Sequence, residues 1–455
     1  MNGSIRRVMN GSCRRVAIWQ RPGGGFGRVF ERSPPWVVYS CANRPVERRH
    51  VPLAHHEPLR AITMATLTPG SATTVSPLHS QPGKWWVEVV RSADALEAHR
   101  PAWDDLAWQA LEPNPFYESW MLLPALRAFA PPPGLSVALV YRDGPRPQDP
   151  PVLCGLFPLA MRRLGRLPLH AWSLWHHHYC CSCVPLLRQD AARETLLEFW
   201  NWLHHRAGGP ALWELPLVCA EGPFLHAFAD AATERHALFH VLRRYTRALL
   251  RPAESAEAYC AASMTSHNRQ ELRRRRRRLT ESGQVEVRNW PPDGDLDAWI
   301  EQFLRLEDQS WKGREGTAFA SSSVDAEFFR AVVRSAAERR QAVFLGLFLD
   351  GRPIALKLNL LSGEGSFSFK IAYDEQFAKF SPGVLLELEN IEWMHRQPGV
   401  RWMDSCAKPG HFMINRLWRE RRAMEHLIVS TGRRRGNLLV GVLPLVRALK
   451  AAVKP

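Results

Sequence analysis

"QAVFLGLFLDGRPIALKLNLLSGEGSFSFKIAYDEQFAKFSPGVLLELENIEWMHRQ", residues 341–397, decides the fold class. Three β-rich runs, 341–350, 352–361 and 366–374, are separated by turns at Gly351 and Gly363. That spacing predicts an antiparallel meander. The run 382–397 lacks strand alternation and opens on Pro382-Gly383, which predicts a helix with proline in its first turn. Helices are predicted just upstream at 295–313 and 325–340. Helices, then a meander, then a helix imply a mixed sheet of α/β (α+β) class. Strand alternation places Lys370, Ala372 and Asp374 on one face of the third strand, and Phe369, Ile371 and Tyr373 on the other.

Outward from this stretch the same rhythm occurs twice. In the second unit, 253–455, a strand at 284–290 precedes the helices, and strands at 401–404 and 422–430 follow the meander. In the first, 84–252, strands are predicted at 84–90, 135–141, 151–164, 211–218 and 236–250. Its helices are 93–111 (with Pro101 as a break), a segment beginning at 114, and 190–207. Residues 1–83 are set aside as extension and leader. Within them, "MNGSIRRV" at 1–8 is repeated as "MNGSCRRV" at 9–16, and the rest of 1–63 is rich in Arg, Pro and Gly. An upstream extension or misplaced start, a disordered basic arm and an organelle transit peptide each account for that composition.

The net charge of +16 is concentrated. Residues 1–63 carry a net +8 and Arg273–Arg278 another +6, which leaves the remainder near neutral. A broad basic surface for nucleic acid is therefore not expected. Nine scattered cysteines fit a reducing compartment, and the expected location is cytoplasmic. No apolar run reaches the roughly 18 residues of a membrane span. The C-terminal "GRRRGNLLVGVLPLVRALKAAVKP" mixes basic and apolar residues, and reads as a packed terminal helix or a peripheral membrane contact. "HHHYCCSC", 176–183, lacks structural-zinc spacing, and no metal is expected. Walker, HExxH and GxSxG signatures are absent, which argues against those NTPases and hydrolases.

Four stretches, "EDQSWKGREGTAF" (307–319), "LDGRPIALKLNLL" (349–361), "FKIAYDEQFAKFSPGVLLELENI" (369–391) and "MDSCAKPG" (403–410), resemble the acetyltransferase-like domain of GNAT superfamily proteins. This is the exopolysaccharide- and cellulose-biosynthesis-associated group, related to Fem-type aminoacyl transferases. The resemblance is good over about 255–430 and weaker over 84–250, where "NPFYESWM" and "LWHHHY…VPLL" carry it. It implies tandem GNAT-like domains, an acyl-CoA co-substrate and an amine or amino-sugar acceptor. Two alternatives remain open. One is Fem-type transfer from aminoacyl-tRNA, the only reading with a nucleic-acid partner. The other is a catalytically degenerate binding protein in polysaccharide assembly.

The residues fit that chemistry. A helix N-terminus offers backbone N–H groups to the diphosphate of acyl-CoA. "AKFSPG" supplies Lys379, Ser381 and Gly383, with Val384 next, as the expected cofactor-binding set. The superfamily's full glycine-rich pattern is missing here, and an ordinary capped helix is the competing reading. Transfer to an amine needs a base and a proton donor for the leaving thiolate. Lys370, Tyr373, Asp374, Asp404 and Glu307 are the candidates. Surface pairing for Lys370 and Asp374, capping for Asp404 and solvation for Glu307 are the structural alternatives. Trp311 and Lys312 are expected at the substrate, together with Arg275 and Arg276. Those two arginines share a helix face with Leu272 and Leu279, so at least one must meet an anion, either a protein carboxylate or a ligand. Asn268 and Glu271 are the expected capping residues of that helix.

Overall fold

The computed structural model describes residues 84–129, 135–164, 169–206 and 208–453. The expectations for residues 1–83 lie outside the described residues.

The first half runs β1 (Trp85–Val90), α1 (Ala93–Glu97), α2 (Arg100–Trp108), a 3-10 turn (Pro115–Tyr117), α3 (Ser119–Ala128), β2 (Ser136–Arg142), β3 (Val152–Arg163) and β4 (His170–Leu174). It continues through the two-residue β5 (Leu186–Leu187), a 3-10 turn (Gln189–Ala191), α4 (Ala192–His205), β6 (Leu212–Cys219), α5 (Pro223–Glu234) and β7 (Phe239–Leu250). Two connecting helices follow, α6 (Ala256–Ser263) and α7 (Ser266–Thr280).

The second half then runs β8 (Val285–Asn289), α8 (Leu296–Asp308), α9 (Trp311–Arg314), a 3-10 turn (Phe319–Ser321), α10 (Ser323–Glu338), β9 (Ala342–Leu349), β10 (Arg352–Ser362) and β11 (Gly365–Tyr373). A 3-10 turn (Glu375–Phe380), α11 (Pro382–His395), β12 (Trp402–Asp404), α12 (Ile414–Leu417) and β13 (Glu420–Ser430) complete it, and α13 (Arg434–Val453) lies beyond. Apart from β5, the second half repeats the first element by element.

The strands form one mixed sheet with a mirrored order, β1-β2-β3-β4-β6-β13 meeting β7-β12-β11-β10-β9-β8. In each half an antiparallel meander ends in a short parallel pair, β4 with β6 and β11 with β12. The last strands are exchanged. β13 pairs with β6 of the first half, and β7 pairs with β12 of the second. β7 and β13 then pair with each other from Phe239↔Val429 to Leu249↔Glu420. Neither half completes its sheet alone.

Two local expectations are corrected. α7 is capped by Thr265, whose hydroxyl accepts from Asn268 N at 3.2 Å, and Asn268 is already helical. Thr265 has the extended backbone that lets an N-cap oxygen reach the third helical amide. Strict alternation also fails in β11. The register slips between Leu358↔Lys370 and Asn359↔Ser368, which leaves Phe369 as an extra residue. Phe369 therefore packs with Phe116 and Phe319 in the main core, on the side that takes Ala372, whereas Tyr373 joins the cluster beneath α11.

Candidate active site

The tip of α11 is built by two consecutive turns. Asp374 caps the 3-10 turn at 375–380 by accepting from Gln376 N at 2.9 Å, and Arg352 Nη2 donates to it at 2.6 Å. Ser381 then adopts a left-handed conformation, φ 56°, and Pro382 starts the helix. The Ser381 carbonyl accepts from Val384 N at 2.9 Å and Leu385 N at 3.0 Å. Among the described residues the Gly383 N–H has no hydrogen-bond partner. Gly383 is buried beside Tyr373, whose Cδ1 would lie 3.3 Å from an added Cβ.

α7 supplies the positive charge at this tip. Arg275 Nε donates to Glu271 Oε1 at 2.9 Å, and its Nη1 donates to Ser381 Oγ. Arg276 pairs with Glu389 on α11. Both arginines thus turn toward α11, and protein groups meet them. Arg276 is wholly accounted for as a structural ion pair. Arg275 also borders a cavity of about 260 Å³ whose walls include Asn268, Ser381, Val384, Phe412 and Arg416. Lys379 instead lies over the Phe380 ring at 4.8 Å, exposed and away from these walls.

A gap opens beside β11. β12 pairs only with Gly365–Phe367, so β11 continues past its parallel neighbour from Ser368 to Tyr373. Lys370 lies on that unpaired stretch. Its Nζ is 4.6 Å from the Tyr179 ring centroid, 4.7 Å from Phe319 and 5.9 Å from Phe369. Tyr179 comes from the first half, in the "HHHYCCSC" segment, which forms a turn rather than a strand. Burial, and after it the nearby Lys312 ammonium, push the Lys370 pKa down to about 8. His178 Nε2 lies 3.4 Å from Asp325 Oδ1 at the same rim. His177 stacks on Phe129 and is held neutral, its pKa driven down to about 3 by burial and the adjacent histidines.

The other candidates have structural partners. Glu307 is fully buried, pairs with Lys312 Nζ at 2.8 Å, and accepts from Phe319 N at 2.9 Å. Lys312 also donates to the Ile371 carbonyl at 3.0 Å, so this pair ties α8 and α9 to β11. Asp404 is wholly buried. Arg247 Nη2 donates to its Oδ2 at 2.7 Å and Arg422 Nη1 at 2.9 Å, while Cys406 N donates to Oδ1 at 2.9 Å. Burial alone would raise its pKa, but the two guanidiniums hold it below the ordinary carboxylate value. Tyr373 has a raised pKa through burial. Trp311 is exposed, and its backbone N–H donates to Glu375 Oε1 at 2.9 Å.

Lys370, Lys312 and Glu307 therefore share one neighbourhood. Arg275, Ser381 and Val384 share the cavity at the helix tip. Asp374 and Lys370, expected to act together, take different partners: Arg352 for one and aromatic rings for the other. Tyr179 and Arg416 escaped the sequence reading and Asn268 entered it only as a helix cap, since nothing local marks which distant element a loop or helix will face. No group of three or more His, Cys, Asp or Glu among the described residues could hold a metal ion.

The acetyltransferase (GNAT) domain family matches residues 266–412, a span that contains both the α11 tip and Lys370. No curated protein gives a match. Among solved structures, FemX is 10% identical with a TM-score of 0.49, covering 75% of this chain and 96% of that one. The DUF2156 domain of a putative lysylphosphatidylglycerol synthetase from Agrobacterium fabrum is 12% identical with a TM-score of 0.39, covering 65% and 85%. A tandem GNAT protein from the clavulanic acid biosynthesis pathway is 16% identical with a TM-score of 0.36, covering 76% and 99%. At these scores the assignment rests on the domain match. On that match, residues 266–412 form a GNAT-type, acetyltransferase-like domain.

Proposed function

We propose that the protein is an acyl-CoA-dependent N-acyltransferase, with the co-substrate held by the second of two tandem units (84–252 and 253–455). The observation that carries this reading is the adjacency of two features, since Gly383 at the helix tip packs on Tyr373, the last residue of the strand that carries Lys370. The helix tip with its adjoining Arg275–Arg416 cavity lies at the end of the strand whose unpaired stretch carries Lys370. A diphosphate suits the first, through the helix N-terminus and two guanidiniums. An extended amide chain such as pantetheine suits the second, because an unpaired strand edge offers N–H and C=O groups, the Ile371 carbonyl already held by Lys312 excepted. Ser381, Gly383, Val384 and Arg275 are the proposed cofactor contacts.

In the proposed reaction the acceptor amine attacks the thioester carbonyl. The C–N bond forms, the C–S bond breaks, and the thiolate leaves. Lys370, neutral in part near pH 8, takes the ammonium proton. Tyr373, which packs on Gly383, supplies the proton to the thiolate. Lys312 and Glu307 hold β11 in place, and the acceptor enters beside Tyr179. An amino sugar or polysaccharide precursor is the proposed acceptor class, and a cytoplasmic location is proposed with it.

Acetyl-CoA titration followed by thermal melting tests the reading. A saturable rise in Tm is expected, weakened by R275A, together with free-thiol release when an amine or amino sugar is added. If neither CoA nor any acyl-CoA shifts the melt, the reading is wrong. Transfer that requires charged tRNA would replace it with the Fem-type reaction.

A further inference from the structure

α13 presents a face that no described residue covers. Its inner side packs Val440, Leu439 and Leu443 against Ala171, Leu212 and Ile428, on the sheet face away from the main core. Its N-terminal end is pinned by Arg433, which donates to the carbonyls of His204 at 3.0 Å, Gly209 at 2.6 Å and Arg206 at 2.5 Å. Farther along, Arg447 donates to the Val241 and Leu242 carbonyls at 2.8 and 2.6 Å. The helix is therefore anchored along β7, and none of the described residues covers its outer side.

That outer side is apolar. Leu438 is 68% exposed, Val442 42% and Leu445 61%. At 100° per residue the three fall within an arc of about 60°. Leu238 and Phe239 extend the patch at 47% and 42% exposure, with Leu238 Cδ1 3.5 Å from where a Gly441 Cβ would be. Exposed Arg434 and Arg435 continue the same face toward the helix start. Residues 431–455 contain six Lys or Arg and no Asp or Glu. An apolar stripe with cations and no anions has the composition of an interfacial helix. A bilayer with anionic headgroups matches both halves of it, since acyl chains take the leucines and headgroups take the arginines.

We infer that α13 docks the protein, by the face of Leu438, Val442 and Leu445, onto the surface of an anionic phospholipid membrane. This stands apart from the cofactor reading and does not need it. The full-length chain is tested by co-sedimentation with vesicles of phosphatidylcholine alone and of phosphatidylcholine with phosphatidylglycerol in equal parts. Binding is expected to the second only, and to fall as salt rises. L438D/L445D is expected to weaken it by about tenfold or more without lowering Tm, because both side chains are exposed. R434A/R435A is expected to weaken it by about tenfold and flatten the salt dependence. Three results overturn the inference. One is no binding to either vesicle. Another is binding that both variants retain, which would move it to the basic residues before 64. The third is a concentration-dependent dimer, seen by light scattering, that L438D/L445D dissolves; a second copy would then cover the face.

Discussion

Replacing Asp404 with asparagine should unfold the protein early rather than abolish a proton transfer. The carboxylate belongs to β12, Arg247 to β7 and Arg422 to β13, so the cluster joins the strands exchanged between the halves. The Asp404 and Arg247 side chains are 0% and 3% exposed. Asparagine keeps the shape and removes the charge, leaving at least one guanidinium buried without a counter-ion. Breaking a buried pair from one side costs about 3–5 kcal/mol. With an unfolding entropy of ~2 cal/mol/K per residue over roughly 370 residues, that corresponds to a fall in Tm of about 4–6 °C. R247M/D404L, which removes both charges, is expected to recover most of the loss.

The pH dependence has a definite sign. Asp404 has a lowered folded pKa, so its contribution is present above the unfolded value near 3.8 and lost as pH falls through the lower folded value. The acid side of the Tm–pH curve should therefore be flatter in D404N. Scanning calorimetry across pH 3–7 measures both effects. If D404N melts with the wild type while turnover falls a hundredfold, Asp404 acts on substrate and this assignment is wrong.

Lys370 must be neutral to accept a proton, so kcat/KM is expected to rise with pH through about 8. K370M should lower the rate by about 10²–10⁴ and remove that limb. An unchanged profile would exclude Lys370 as the base. Y179A should admit water around the ammonium and move the limb upward, whereas Y179F, which keeps the ring, should leave it in place. Lys357 and Glu387 form a second buried pair at 2.9 Å, each 1% exposed. E387A is expected to cost about 3–5 kcal/mol in urea unfolding, and K357M/E387M less than E387A alone; equal losses would mean the pair's charge is immaterial.

Much of the secondary structure was legible because its signals are local. Glycine turns at 351 and 363, Pro382 at a helix start and the break at Pro101 all coincide with element boundaries. α5 was not read, although Pro223 opens it and Phe224, Phe228, Ala231 and Ala232 recur at helical spacing on its buried side. β4, only five residues long, gave too little alternation to distinguish from loop. The candidate site was legible in part. The helix tip and Lys370 follow from order along the chain, whereas the roles of Asp404 and Glu307 depend on Arg247, Arg422 and Lys312 arriving beside them.

Apart from α5 and β4, the order of strands and helices, the duplicated rhythm and the turn before α11 are properties of neighbouring residues, and the sequence alone determined them. The exchange of β7 and β13, the bulge at Phe369 and the seating of Tyr179 over Lys370 were decided only in the tertiary structure. Strand pairing joins residues as far apart as Phe239 and Val429, and no local period encodes which partner a strand edge will meet. A buried carboxylate likewise becomes a base or a tie according to the cations the fold brings to it.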